Sequence, residues 1–184
     1  IRLPIEPRKT GSLKLIKNYI SFVTTGRRWV RKTKLKADVV FTFEVSPMTQ
    51  ALVSVWYARK EKIPHILYVT DLWPENVEII TGIHNRLVIG SIQRMVDYIY
   101  NSSDRILTSS NSFIDAIRKR GILDEKIEFW PQYAEDFYKP VKNEGCTEIP
   151  DDGVLNLVFA GNIGFAQGLG ILPEAAKKLQ SEGL

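Results

Sequence analysis

Two periods alternate along this chain. Short apolar runs that suit buried strands fall at residues 38–43 (DVVFTF), 66–70 (ILYVT), 104–109 (DRILTS) and 126–130 (KIEFW). Between them, apolar residues return at helical spacing. Met48, Leu52, Val55 and Trp56, followed by Arg59, mark a first helix, with Ser46 as its cap and Pro47 in its first turn. Val88, Ile92, Met95, Val96 and Ile99 mark a second, over about 85–100. Phe113, Ile114 and Ile117 mark a third, capped among Ser110, Asn111 and Ser112 and stopped at Gly121. Ahead of them all, Leu13, Leu15, Ile16, Tyr19, Ile20, Phe22 and Val23 fill half of a helical wheel opposite Lys14, Lys17, Asn18, Ser21 and Thr24. Strand and helix alternate with no hairpin signal, which predicts an α/β fold with a parallel sheet and right-handed crossovers.

The alternation breaks over residues 131–153. PQYAEDFYKPVKNEGCTEIPDDG holds three prolines and six acidic residues with no sustained period, so it reads as a linker. A further buried strand is expected at 155–160 (LNLVFA), running into GNIGFAQG and then a helix with Pro173 in its first turns. The expected division is therefore a first Rossmann-like domain over 1–130, the linker, and the opening strand and helix of a second such domain over 154–184. With Ile1 first and Met48 and Met95 as its only methionines, the chain reads as a piece of a larger protein.

Charge changes the picture at one end. Residues 1–36 hold eleven Lys or Arg against Glu6 alone, a net +10, whereas the remainder is net −6. Beyond Gly26 the run RRWVRKTKLK surrounds Trp29 with cations. The first helix is expected either to pack on the sheet with a solvated basic end, or to present Lys14, Lys17, Arg27, Arg28, Trp29 and Arg31 to anionic lipid. Nucleic acid is not expected, because no recognition motif accompanies the charge. No apolar run reaches membrane-spanning length, and the first residues lack a signal-peptide core, which predicts a cytoplasmic protein. Cys146 is the single cysteine, and with His65 and His84 it is too isolated for a zinc site, so no metal is expected.

The candidate chemistry lies at strand ends, where open α/β sheets keep their ligands. The strand at 66–70 ends in Asp71-Leu72-Trp73-Pro74, and the preceding strand ends in Glu44, which brings the two carboxylates to one edge. Asp71 reads either as a cap on the turn that Pro74 begins or as a hydrogen-bonding partner for ligand hydroxyls. Glu44 is a second candidate. Ser109, Ser110 and Asn111 read as helix caps or as ligand contacts, and Trp73 as a packing residue. In GNIGFAQG a strand, a glycine-bearing turn and a helix amino terminus can make an anion site, although G-x-x-G-x-x-x-G is neither the dinucleotide fingerprint nor a P-loop.

Taken together, DVVFTFEVSP, YVTDLWPE, RILTSSNSF, FWPQYAEDFYKP and LVFAGNIGFAQGLGILPEAAKKL resemble the retaining glycosyltransferases of family four, which have the GT-B fold. DLWPE and GNIGxAQG resemble the branch that builds bacterial capsule and O-antigen polysaccharide. The resemblance implies transfer of a sugar from a nucleotide-sugar, UDP- or GDP-linked, to a lipid-linked glycan at the inner membrane face, with no tightly bound cofactor. It implies an acceptor-side domain over 1–130, lacking its opening strands, and the truncated start of the donor-side domain. Gly161, Asn162, Gly164, Gln167 and Gly168 would face the donor phosphates. Asp71 and Glu44 would stand at the cleft edge, and Trp73, Ser109, Ser110 and Asn111 would line the acceptor side. Family members often carry Arg and Lys where Asn162 and Gln167 stand, and Gln132-Tyr133 replaces their usual Asn-Gly. A fragment of this extent is expected to be inactive alone. The alternatives are a GT-B nucleotide-sugar 2-epimerase and a non-catalytic module that binds membranes through its basic helix.

Overall fold

The computed structural model describes residues 1–7, 12–77, 84–140, 149, 153, 156–161, 163 and 167–183. It divides into two compact units, 1–132 and 133–184. The first is an α/β unit with a four-stranded, wholly parallel sheet in the order β1-β2-β3-β4, where β1 is Val40–Glu44, β2 His65–Val69, β3 Arg105–Thr108 and β4 Ile127–Phe129. This is the Rossmann-like arrangement that the alternating periods predict. The longer helices of this unit among the described residues are α1 (Ser12–Lys32), α2 (Ala51–Glu61), α3 (Arg86–Ser102) and α4 (Asn111–Arg118).

A strand order that never reverses, joined by crossovers of one hand, leaves all the connecting helices on one face of the sheet. The core forms there. Leu67, Val69 and Ile106 from the sheet meet Ala51 and Val55 of α2, Val96, Ile99 and Tyr100 of α3, and Ile117 of α4. The opposite face carries Phe41, Phe43, Tyr68 and Trp130, whose rings stand 5.5 to 6.5 Å apart, with Phe41, Phe43 and Trp130 about half exposed. β1 therefore inverts its own hydropathy. Thr42 and Glu44 are buried and the two phenylalanines face outward.

α1 packs outside α2. Gly26 makes the close approach possible, since a Cβ there would lie 2.4 Å from Val53 Cγ2. Around that crossing Val30, Val53 and Tyr57 form a second apolar cluster with Phe22, Trp29 and Trp56. α3 begins as its sequence predicts, with the Asn85 side chain accepting from the N–H groups of Leu87 and Val88 at 3.0 and 3.3 Å. Ser46 and Ser110 differ from expectation, because neither side chain caps its helix.

In the second unit the expected strand is not formed over the described residues 156–160, and Leu157 and Val158 are 80% and 65% exposed. A lone apolar segment gains neither ladder hydrogen bonds nor burial without neighbouring strands. The expected helix does form, as α5 (Leu172–Ser181) with Pro173 in its first turn, and all of its described side chains are exposed.

Candidate functional site at the carboxyl edge of the sheet

The carboxyl ends of β1, β2 and β3 converge as the parallel register requires. Thr70 donates from its backbone N–H (3.1 Å) and its hydroxyl (2.5 Å) to the carbonyl of Glu44, and Ser109 donates from N–H (3.2 Å) and hydroxyl (3.3 Å) to the carbonyl of Val69. Beyond these ladders the first two loops are clasped. The Ser46 N–H donates to Asp71 Oδ2 at 2.8 Å, and Trp73 Nε1 donates to Ser46 Oγ at 3.1 Å. Ser46 thus joins both β2-end candidates to the β1 loop.

Asp71 is half-buried, and Oδ2 spends itself on Ser46 N–H, which is a clasp between loops in place of a cap on its own turn. Trp73 is 9% exposed and belongs to the core, as its packing reading requires, so its ring lines no open acceptor surface. Ser109 is engaged with Val69, the hydroxyls of Ser110 and Ser112 stand 2.9 Å apart, and Asn111 is exposed at the start of α4.

Glu44 departs most from expectation. It sits at the expected edge but is fully buried, and neither carboxyl oxygen has a hydrogen-bond partner. Burial, reinforced by the charge of Asp71, pushes its pKa up to about 8. The backbone N–H of Asp71 lies near enough to pull the value back in part, yet outside hydrogen-bond geometry. Glu44 is therefore a neutral acid at pH 7, closed off from any ligand. The buried hydroxyls of Thr49 and Tyr100 are likewise unpartnered, and burial followed by the charge of Glu44 raises the Tyr100 phenol. Spacing alone does not show Tyr100 as polar company for Glu44, because the tyrosine falls in line with the apolar stripe of α3.

At the other end of the strands His65 is buried between Thr42 Oγ1 (2.8 Å from Nε2) and Ser103 Oγ (3.1 Å from Nδ1). Ser103 gives its hydroxyl proton to the Ile99 carbonyl, so its oxygen accepts, which places the imidazole proton on Nδ1. Burial lowers the His65 pKa to about 4. This histidine is a structural tie, remote from the carboxyl edge.

An open cleft of about 690 Å³ lies between α3 and α4, lined by Glu75, Gln93, Asp97, Ser112, Lys119 and Arg120, among others. Arg120 organises its wall by pairing with Asp97 at 2.6 Å and Glu75 at 3.8 Å and by donating to the Trp73 carbonyl at 3.4 Å. None of Trp73, Ser109, Ser110 and Asn111 lines it. The sequence offered no signal for this cleft beyond scattered polar residues on two helices.

Of the expected phosphate-facing residues, Asn162 and Gly164 lie outside the described residues. Gly168 adopts a left-handed conformation (φ 63°, ψ 18°) at the start of the turn Leu169–Ile171, where glycine is the unstrained residue, with Gln167 before it and Gly161 exposed. Lys14, Lys17, Arg27, Arg28 and Arg31 are exposed on α1, whereas Trp29 turns inward against Tyr57, its ring 5.5 Å away. Trp29 is thus a packing residue of the α1–α2 crossing, because it lies one turn from Gly26 on the side of α1 that meets α2. Among the described residues no helix is long and apolar enough to cross a membrane. No family model matches the chain, and no curated protein matches it.

Proposed function

We propose that this chain forms the acceptor-side part of a GT-B glycosyltransferase, together with the beginning of its donor-side part. The enzyme would move a sugar from a UDP- or GDP-sugar to a lipid-linked glycan in bacterial surface polysaccharide synthesis, working as a peripheral protein at the inner membrane face. The observation that supports this best is the clasped edge of Ser46, Asp71 and Trp73 at the carboxyl end of an all-parallel sheet, the edge at which open α/β folds hold their ligands. Asp71 Oδ1 has no hydrogen bond among the described residues, which leaves it for a sugar hydroxyl while Oδ2 holds the loop. The nearby cleft, with carboxylates, an amide and a hydroxyl on its walls, has the mixture of donors and acceptors that a glycan requires. Glu44 takes no part in ligand contact. Its role is to fill the core behind the edge.

The test is nucleoside diphosphate release by the full-length protein from UDP- and GDP-sugars, with and without lipid-linked glycan. Acceptor-dependent release that falls at least about tenfold in Asp71→Asn supports the proposal. A changed free nucleotide-sugar formed without acceptor points to the epimerase, and absence of turnover with every donor overturns the sugar-transfer reading.

A further inference from the structure

α1 spans 21 residues with six Lys or Arg and no acidic residue, and its inner face packs on α2 through Phe22, Trp29 and Val30. At 100° per residue its outer face presents Ile16, Ile20, Lys17, Arg27, Arg28 and Arg31. Ile16 is 46% and Ile20 57% exposed, which is unusual for isoleucines one turn apart on a helix that already buries its other side. Of residues 1–7, Glu6 bonds to this helix at one flank, where its N–H donates to Ser21 Oγ at 2.9 Å and its carbonyl accepts from the Asn18 side chain. The five cations of that face and of Lys14 beside it make no ion pair among the described residues; the pairs that form use Lys36, Lys60, Arg118 and Arg120.

We infer that the outer face of α1 docks on an anionic bilayer, with Ile16 and Ile20 immersed at the acyl boundary and Lys17, Arg28 and Arg31 on lipid phosphates. This rests on the peripheral-membrane reading above and deepens it by naming the side of the helix and the residues that insert. Charge complementarity favours lipid, and the isoleucines decide against its rivals. A nucleic acid would neutralise the cations but offer the isoleucines no apolar partner, whereas a headgroup layer supplies phosphate and hydrocarbon within one helix diameter. The face is also a convex helix surface, a shape suited to lying on a plane. With Trp29 turned inward, the isoleucines take over the anchoring that an interfacial tryptophan otherwise supplies.

Vesicle co-sedimentation of the chain, with phosphatidylcholine alone or mixed with phosphatidylglycerol, tests this. The unmodified chain should sediment with the anionic vesicles and lose binding as salt is raised. The triple variant K17Q/R28Q/R31Q should bind about 100-fold more weakly, at roughly fivefold per cation removed, and I16S/I20S about tenfold more weakly. Arg27 is spared because its guanidinium lies over Trp56. Far-UV circular dichroism confirms that both variants fold. Failure of the unmodified chain to bind anionic vesicles overturns the peripheral reading and this inference together. Unchanged binding by both variants overturns only the assignment to α1, as does loss in the charge variant alone. Stronger binding to duplex DNA than to the vesicles would identify nucleic acid as the occupant and overturn the lipid proposal. None of these outcomes involves a nucleotide-sugar, so each is separable from the fate of the transferase reading.

Discussion

Two carboxylates from neighbouring strands meet opposite fates at one sheet edge, and the difference is solvent and partners. Asp71 keeps contact with water and accepts a backbone N–H, whereas Glu44 has neither. Removing the acceptor in Asp71→Ala leaves the Ser46 N–H unpaired and should cost about 1.5–3 kcal/mol, the range for hydrogen bonds to charged groups. Asp71→Asn retains an acceptor oxygen and should cost less than about 1 kcal/mol by urea denaturation. Equal losses in the two variants would mean that the clasp is not what stabilises the loops. Asp71→Asn should also lower the Glu44 pKa, because it removes the like charge that helps to raise it.

At the level of elements, the informative ones are β1 and α1. The alternation Val-Phe-Thr-Phe-Glu in β1 specifies which residues share a face, but the hydropathy of the strand predicts the wrong face as the inner one. The crossover to α2 decides, since it sets the helices over Thr42 and Glu44. Phe43 is about half exposed, with its ring 5.5 Å from that of Tyr68. Phe43→Ser should therefore cost about 1 kcal/mol, well below the 3–5 kcal/mol of truncating a buried phenylalanine. A loss in the buried range would show that this sheet face is covered in solution. On α1, Gly26→Ala forces a methyl group against Val53 and should destabilise by about 1–3 kcal/mol. Adding Val53→Ala should recover part of that loss in the same denaturation assay, because it vacates the space the new methyl enters.

For the molecule as a whole, two buried groups at opposite ends of the strands shape the dependence of stability on pH. Glu44 has a folded pKa raised from 4.5 to about 8, so its contribution is complete below 4.5 and is lost as pH rises through 8. His65 has a folded pKa lowered from 6.5 to about 4, so its contribution is complete above 6.5 and is lost as pH falls through 4. Each slope is about 1.4 kcal/mol per pH unit, and between pH 4.5 and 6.5 they cancel. These two groups therefore give a plateau there, followed by a decline of about 2 kcal/mol between pH 6.5 and 8. Glu44→Gln should abolish that decline and uncover a rise with pH over 4 to 6.5 from His65 alone. Urea midpoints measured across this range check both limbs. A wild-type midpoint that does not fall above pH 6.5 would show that Glu44 is not buried as an acid.

The alternating periods by themselves determined the α/β class, the four parallel strands of the first unit, the helices between them, the Asn85 start of α3 and the gathering of Glu44 and Asp71 at one edge. Those are properties of local spacing and of the connection rules for parallel strands. Tertiary structure alone decided the rest. Which face of β1 is inside, whether Glu44 is charged, whether Trp29 anchors outward or packs on Tyr57, and whether Ser46 caps a helix or clasps Asp71 all depend on what lies across space. The segment LNLVFA makes the same point in reverse. Its apolar run has the hydropathy of a buried strand, but hydropathy supplies no neighbouring strands, and its described residues form no strand and are exposed.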